Sequence, residues 1–527
     1  MKQHSFTTRL KSLAVVFGMA LAFASCANED VPQNPTNPKE DNDKNLTTFM
    51  AGGETRTSLN YNSGDFYWEA GDYIYVKDDD GVLQKSTNAP TSKVAAFTYK
   101  VPGKFTASSS YKVYYFGKNS SNNQVVIPST QSQSTPNNTE HFGVSGDYGT
   151  ATATGTLGGK EFSFELEHQA AYLVFHPYVS NTLLQNCYLT KIEVSSDNDI
   201  ASTYTLNAST GTLQSVSTGA AADKEIILST KGSGVYANGF PLNTASDNVA
   251  INGAYMVIKP GTHTLKVRYW LKDVSTGIEG TVTKAFKAFN YDVNNYYDID
   301  GNLNIRDYDG DHYYMWDAKE QYWKGYEWTK NLGAGVGQPT LNNSSSSNYA
   351  QSNTDPNHRW YRKGGFLSRF DATQTCAGLP NVNEMTWYAA YGDPCWDKDE
   401  LWTTMGHLYK GGMWFKKKSV LQAEGHYNSN TAVDGSDWRT AMKTEVWYSS
   451  STLPSAADAG KYFYLPALSS YLFGSLSQLS ESGFYWSSSS YPYYSDEYAY
   501  CIHFNSSGMR VNGYFRHYGM RVKPTFE

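Results

Sequence analysis

The stretch from Ser482 to Glu527 carries the residues of this chain best suited to chemistry, and that chemistry is non-covalent recognition. Tyr491, Tyr493, Tyr494, Asp496, Tyr498, His503, Asn505, Asn512, Tyr514, Arg516, His517 and Tyr518, together with Ser489, alternate with apolar Trp486, Ala499, Ile502, Phe504 and Met509. Tyrosine offers a large amphipathic contact at small cost in side-chain entropy, while Ser and Asn add adaptable hydrogen bonds. The spacing predicts strands with an apolar core side and a displayed, ligand-binding side. The plainer reading is the Tyr-rich solvent face of an ordinary sheet.

Covalent chemistry has less to stand on. No HExxH, GxSxG, P-loop or CxxC pattern occurs, so the common metalloprotease, hydrolase, nucleotide and redox signatures are absent. Glu384, Asp393, Asp397 and Asp496 would make a glycosidase pair only if two of them converged across a cleft; the alternative is solvated surface acids. Asp307, Asp309 and Asp311 alternate in "RDYDGD" as in a calcium loop, yet the flanking helices and the bidentate Glu of an EF-hand are missing. The expectation is a non-enzyme with no cofactor and no metal.

The N-terminus points to a compartment. Lys2, Arg9 and Lys11 precede an apolar run from Leu13 to Phe23, followed by small Ala24 and Ser25 and then Cys26. This is a signal peptide rather than a membrane span, and the Cys after small residues resembles a bacterial lipobox, with Cys26 diacylated as the mature N-terminus. The alternative is ordinary signal-peptidase cleavage beside a chance Cys. Residues 27–45 are polar, acidic and proline-bearing, which reads as a disordered tether. Glu29 and Asp30 resemble the surface-export signal of Bacteroidota lipoproteins, implying attachment to the outer membrane, facing outward. The remaining Cys187, Cys376, Cys395 and Cys501 fit no zinc spacing, and their disulfide state stays open.

At 527 residues the chain exceeds one core and predicts about three domains. A net charge of −7 supplies no basic field for phosphates, so nucleic acid is not an expected partner. From Leu46 to Arg306, short alternating runs separated by Gly, Asn, Ser and Asp clusters predict an all-β region. In "HTLKVRY", Leu265, Val267 and Tyr269 share one face and Lys266 and Arg268 the other.

Within this region, "ETRTSLNYNSGDFYWEAGDYIYV" (Thr55, Arg56, Thr57, Trp68, Gly71, Asp72), the Leu166–His168 strand entry and the Pro260-Gly261-Thr262 hairpin resemble the fimbrillin family of Bacteroidales pilins. The resemblance implies two transthyretin-like β-sandwich domains, residues 46–160 and 161–306. From the residues alone, Trp68 is core, His168 a hydrogen-bonded structural histidine, and Gly71-Asp72 a turn.

Residues 307–527 read as α+β. "NVNEMTWYAAYG" predicts a helix with Asn381 or Asn383 near its cap, Val382, Met385, Trp387 and Ala389 inward, and Gly392 as its stop. The order Leu379-Pro380 and Glu384, Leu465-Pro466, Tyr485-Trp486-Ser487, Phe504, Arg521 and Pro524 resembles C-type-lectin-like domains, which share their fold with formylglycine-generating enzymes. The close cysteine pair that such an oxidase needs for copper is not evident. The Tyr, Ser, Asp, His, Asn and Arg palette also resembles segments diversified by retroelements, since adenine-randomised Asn codons yield it.

The whole is mostly β: two transthyretin-like sandwiches followed by an α+β C-type-lectin-like domain. The resemblances imply a cell-surface fimbrial tip adhesin lipoprotein that joins other fimbrillin subunits by donor-strand exchange, with Arg56 as the processing position and an extracellular glycan or protein as ligand. With residues 307–527 folded behind the second sandwich, no free tail is expected to act as donor. The alternative is an outer-membrane-anchored carbohydrate-capture lipoprotein outside any pilus.

Overall fold

The computed structural model describes residues 2–5, 45–52, 58–59, 61, 66–118, 123–207, 210–216, 219–327, 346–522 and 526–527. Cys26, Arg56 and nearly all of the tether lie outside these residues. The fold is mostly β throughout, as the period-two patterning predicts.

The first unit is one curled eight-stranded sheet. Its path runs Leu83–Lys85, Tyr75–Lys77, Ser110–Tyr115, Gly149–Gly155, Glu161–Phe164, Leu46–Ala51 and Phe97–Pro102. The two ends approach each other through Thr87 and Asn88: the Thr87 amide donates to the Lys100 carbonyl at 2.7 Å, and the Lys100 amide donates to Asn88 Oδ1 at 2.7 Å. Trp68, Phe49, Tyr99 and Phe162 fill the inside. Gly71 takes a left-handed φ of 83°, a conformation that costs a side-chain-bearing residue energy, and the turn it forms lets buried Asp72 accept from the Glu69 amide at 2.7 Å and the Tyr115 hydroxyl at 3.0 Å.

The expected division near residue 160 falls later. Glu161–Phe164 pairs in parallel with Leu46–Ala51, and Glu167–His168 pairs with Gly149–Gly155, so both belong to the first sheet. Strand pairing joins segments more than a hundred residues apart, and no local pattern reports it. Just past this point buried Asp147 accepts from the Tyr172 hydroxyl at 2.6 Å and bonds the His168 ring at 2.8 Å, the structural role read for that histidine.

The second unit is a sandwich. One layer holds Asn295–Ile299, Ala171–Phe175 and Ala254–Ile258, each buried along its length, with Lys2–Ser5 on the outer edge of Asn295–Ile299. The other layer includes Glu225–Ser229, Cys187–Ser196, Leu265–Asp273 and Glu279–Ala285. Leu265, Val267, Tyr269 and Leu271 point into the core, as their alternation predicts. Arg268, on the opposite face, is also buried, because the C-terminal unit covers it.

That covering is a continuation of the sheet. Glu279–Ala285 meets Cys395–Thr404 through the bridge Thr281↔Glu400, and the sheet proceeds through His407–Lys416 to Tyr462–Pro466. Arg268 donates to Asp397 at 3.1 Å, and Glu400 accepts from the Thr281 hydroxyl (3.1 Å), the Thr283 hydroxyl (2.6 Å) and the Thr283 amide (3.1 Å). A second C-terminal sheet runs Tyr313–Tyr314, Met520–Arg521, Ser482–Ser490, Tyr498–Asn505, Gly508–Phe515 and Glu445–Tyr448.

Helix Val382–Tyr391 packs against this second sheet. Asn381 caps it reciprocally with Glu384, and Gly392 ends it. Val382, Met385 and Ala389 are buried as expected, but Tyr388 rather than Trp387 completes the inward stripe, since three residues from buried Met385 bring position 388 back over the core side. Cys187, Cys376, Cys395 and Cys501 are free and buried, and burial pushes the thiols of Cys187, Cys376 and Cys395 up to about 12, so they stay protonated.

The junction carboxylate makes stability depend on pH. Burial, and then the neighbouring Asp397, push the Glu400 carboxyl from 4.5 up to about 6, against the pull of Arg306 and the Thr283 bonds. A raised carboxyl holds its proton more tightly in the folded state, so its contribution is full below 4.5 and is lost as pH rises through about 6. Glu400→Gln should therefore gain urea stability relative to wild type as pH climbs across that window, with a flat difference on either side. A difference independent of pH would remove Glu400 from this role.

Candidate functional surface

Ladder register decides which residues of the tyrosine-rich segment share a face. Residues opposite each other in an antiparallel pair point to the same side. Ala499 lies opposite Tyr514, Cys501 opposite Asn512, and His503 opposite Arg510; these share one side with Asn505, which is paired to Gly508. Tyr498 lies opposite Phe515, Ile502 opposite Val511, and Phe504 opposite Met509 on the other side. The candidate ligand-binding residues therefore divide between two faces. Most of each face is covered: helix Val382–Tyr391 and its neighbours pack on Ile502, Phe504 and Met509, while Trp316, Cys376 and Met520 pack on Ala499 and Cys501.

What reaches solvent is an aromatic run at one end of the sheet. Phe366 (59% exposed) sits 5.0 Å from the Tyr493 ring and 5.7 Å from that of Tyr494 (41% exposed). Tyr494 approaches Tyr498 at 6.4 Å, Tyr498 packs on Phe515 at 4.4 Å, and Phe515 reaches His517 at 5.2 Å and Tyr518 at 5.8 Å. His517 continues the run to exposed Phe473 at 5.7 Å and to Trp360 at 5.4 Å. Such contacts hold the rings in fixed mutual geometry, which lowers the entropy lost when a ligand covers them.

Beneath this run the backbone is pinned. Ser495 is buried and bonds Gly365 twice, accepting from its amide at 2.8 Å and donating to its carbonyl at 2.9 Å. Arg516 is only 1% exposed, so it is a support and not part of the displayed surface. Its Nη1 donates to the carbonyls of Lys363 at 2.7 Å and Ser495 at 2.9 Å, and its guanidinium lies 4.0 Å over the Trp316 ring. Burial lowers it to about 10, which leaves it cationic at neutral pH.

Ser489 is likewise interior. The serine run bulges where Trp486 pairs Cys501 and Ser490 pairs Ala499, and there it serves other segments: Val382 N donates to Ser489 Oγ at 3.2 Å, and Trp316 Nε1 to the Ser487 carbonyl at 2.8 Å. Tyr491 is half-buried, with its ring 5.0 Å from that of Tyr500, and Tyr514 packs against the Trp316 cluster. His503 stacks on Phe484 at 4.0 Å, and burial, with Arg510 beside it, lowers it to about 4, so it is neutral. With Asn505 it lines a shallow groove beside exposed Tyr448. Asp496 is held at the rim by Arg362 at 3.0 Å.

The four acids singled out for glycosidase chemistry have separate partners. Glu384 closes the helix cap, Asp393 accepts from the Tyr462 hydroxyl, Asp397 pairs Arg268, and Asp496 pairs Arg362. Asp309 bonds the Asp311 amide and the His312 ring, each at 2.8 Å, and among the described residues no three metal-ligating side chains gather. Phe366, Phe473, Phe515 and Trp360 escape sequence reasoning because all but Phe515 lie outside the tyrosine-rich segment. The only local signal was the aromatic density around Trp360 and Phe366.

No protein-family model matches the chain, and no curated protein matches it. Among solved structures, a candidate cell adhesion protein from Bacteroides ovatus is 14% identical over 48% of this chain and 91% of its own, with a TM-score of 0.32. A fimbrial protein from the same species is 12% identical, covering 92% of this chain and 98% of its own, with a TM-score of 0.23. The fimbrial anchor protein Mfa2 from Porphyromonas gingivalis is 12% identical over 44% of this chain and 80% of its own, with a TM-score of 0.21. Similarity at this level carries no function from those proteins to this chain.

Replacing Arg516 with Met leaves two carbonyls without their buried donor and should cost about 2–4 kcal/mol in urea unfolding, with Arg516→Lys losing less. A change near zero would mean that the loop is held by Ser495 alone.

Proposed function

We propose that this protein is a cell-surface adhesin of the fimbrillin type, with its C-terminal unit, residues 307–527, as a lectin-like recognition domain. The observation that carries the reading is the exposed aromatic run Phe366–Tyr493–Tyr494–Tyr498–Phe515, backed by the buried hydrogen bonds of Ser495 and Arg516. Exposed apolar area of this kind, with hydroxyls at its edge and the Arg362–Asp496–Glu497 charges beside it, suits the stacking and hydrogen bonding by which glycans or protein surfaces are held. His517 and Tyr518 extend it, and Tyr491 and Tyr514 adjoin it at Tyr498 and Tyr518, whereas His503, Asn505 and Asn512 fall on the face of the ladder turned away from Tyr498 and Phe515.

Assembly with like subunits by donor-strand exchange is part of the same reading. What supports it is the outer edge of Asn295–Ile299, paired with Lys2–Ser5. Those four residues belong to the signal peptide inferred from the sequence, so processing before Cys26 frees the edge for a strand from another subunit. Lipidation at Cys26, cleavage after Arg56 and an outward-facing place on the outer membrane or at a fimbrial tip complete the proposal.

Two measurements bear on it. Phe366→Ala combined with Tyr494→Ala should weaken binding of the purified chain to an array of glycans and glycoproteins by at least about tenfold, with an unchanged thermal midpoint. Wild-type binding in the double variant would sink the recognition role. Immunogold labelling of intact cells with antibody to residues 307–527 should place gold at filament ends, whereas gold over the cell body without filaments favours the anchored capture lipoprotein.

A further inference from the structure

Where the second sandwich meets the C-terminal unit, a cavity of about 210 Å³ opens beside the polar junction. Four cations line it, Lys266, Arg268, Arg306 and Lys417, against the single carboxylate of Asp397. That carboxylate is already saturated: it accepts from Arg268, from Trp414 Nε1 at 3.2 Å, and from the amides of Asp399 and Glu400 at 3.0 and 3.2 Å. Behind the wall Glu193 lies 3.9 Å from Arg268, Glu400 3.6 Å from Arg306 and Glu527 3.7 Å from Lys417, so the excess of positive charge is confined to the face turned to the cavity.

Arg268 is 7% exposed, and its Nε has no hydrogen-bond partner among the described residues. A buried donor left without an acceptor is unfavourable, and an anionic acceptor would remove that penalty. Lys266 donates to the Pro454 carbonyl at 2.7 Å, while burial and then the proximity of Arg268 lower its proton affinity, so an anion would stabilise its charged form as well. Arg306 and Lys417 are the more exposed cations, at 41% and 36% of their side chains. The rest of the wall is compact and apolar, with Trp414, Leu453 and Pro454 beside the charges.

We propose that this cavity binds a small ring-bearing carboxylate, its carboxyl group held among Lys266, Arg268, Arg306 and Lys417 and its ring against Trp414 and Leu453. The volume suits one ring. This site is separate from the displayed aromatic run and does not depend on its role. A ligand here touches both sides of the junction, so it also ties the C-terminal unit to the sandwich.

The full chain is titrated calorimetrically with benzoate and with glucuronate, and with glucose as a neutral control. One-to-one binding of at least one carboxylate is expected, weakening with salt and at least about tenfold poorer in Arg306→Ala or Lys417→Ala. Benzoate alone would identify an aromatic acid and glucuronate alone a sugar acid. Absence of binding by both at millimolar concentration, equal binding of glucose, or wild-type affinity in both variants would overturn the proposal. Lys417 is partly exposed, so a thermal midpoint near wild type should accompany the loss in Lys417→Ala; Arg306→Ala also removes the cation beside buried Glu400 and is expected to lower its midpoint.

Discussion

A buried guanidinium holds the displayed end of this molecule in place. Arg516 reaches from the end of one strand to the carbonyls of Lys363 and Ser495, and it rests on the Trp316 ring. Leaving water is costly for a cation unless hydrogen bonds and aromatic faces replace the lost hydration. Here Nη1 finds carbonyls on segments about 150 and 20 residues away in the chain and the Trp316 ring covers the guanidinium face, while Nε and Nη2 have no hydrogen-bond partner among the described residues. The loops carrying Phe366 and Tyr494 can thus be irregular in backbone and still fixed in position. Ser495 adds a second clamp on the same pair of loops, through Gly365.

The same economy governs the serine run. Small side chains let a bulge sink into the interior, where its carbonyls and hydroxyls receive the Trp316 indole, the amide of Phe370 and the first amide of the helix. A larger residue there would displace those partners. What reads as a polar, displayed run is therefore an internal socket, and the displayed chemistry passes to the aromatic residues around it.

The polar junction below has a different character. Arg268, Asp397, Glu400 and two threonines bond one another where two sheets meet in register at one bridge, with the Arg268 Nε left without an acceptor among the described residues. Buried charges of this kind add little net stability over an apolar contact, but they are intolerant of misalignment. The arrangement specifies one orientation of the C-terminal unit on the sandwich, and with it the direction in which the aromatic end faces. It also leaves the cation-lined cavity at the seam.

By itself the sequence determined what depends on near neighbours. The inward stripe of Leu265, Val267 and Tyr269, a cap at Asn381 or Asn383, the stop at Gly392 and the turn at Gly71-Asp72 were all legible, because each is a contact within a few residues along the chain; that Asn381 is the cap and Glu384 its reciprocal partner came from the structure. Tertiary structure decided the rest. Which strand lies beside which moved Glu161–Phe164 into the first sheet, and ladder register split the tyrosine-rich segment between two faces. Burial of Arg268, Arg516 and Ser489 followed from other segments folding over them, and a single strand's alternation carries no information about what will cover its polar side. The aromatic run is the plainest case: Phe366 and Tyr494 stand 128 positions apart in the sequence, and only the packed loops make them neighbours.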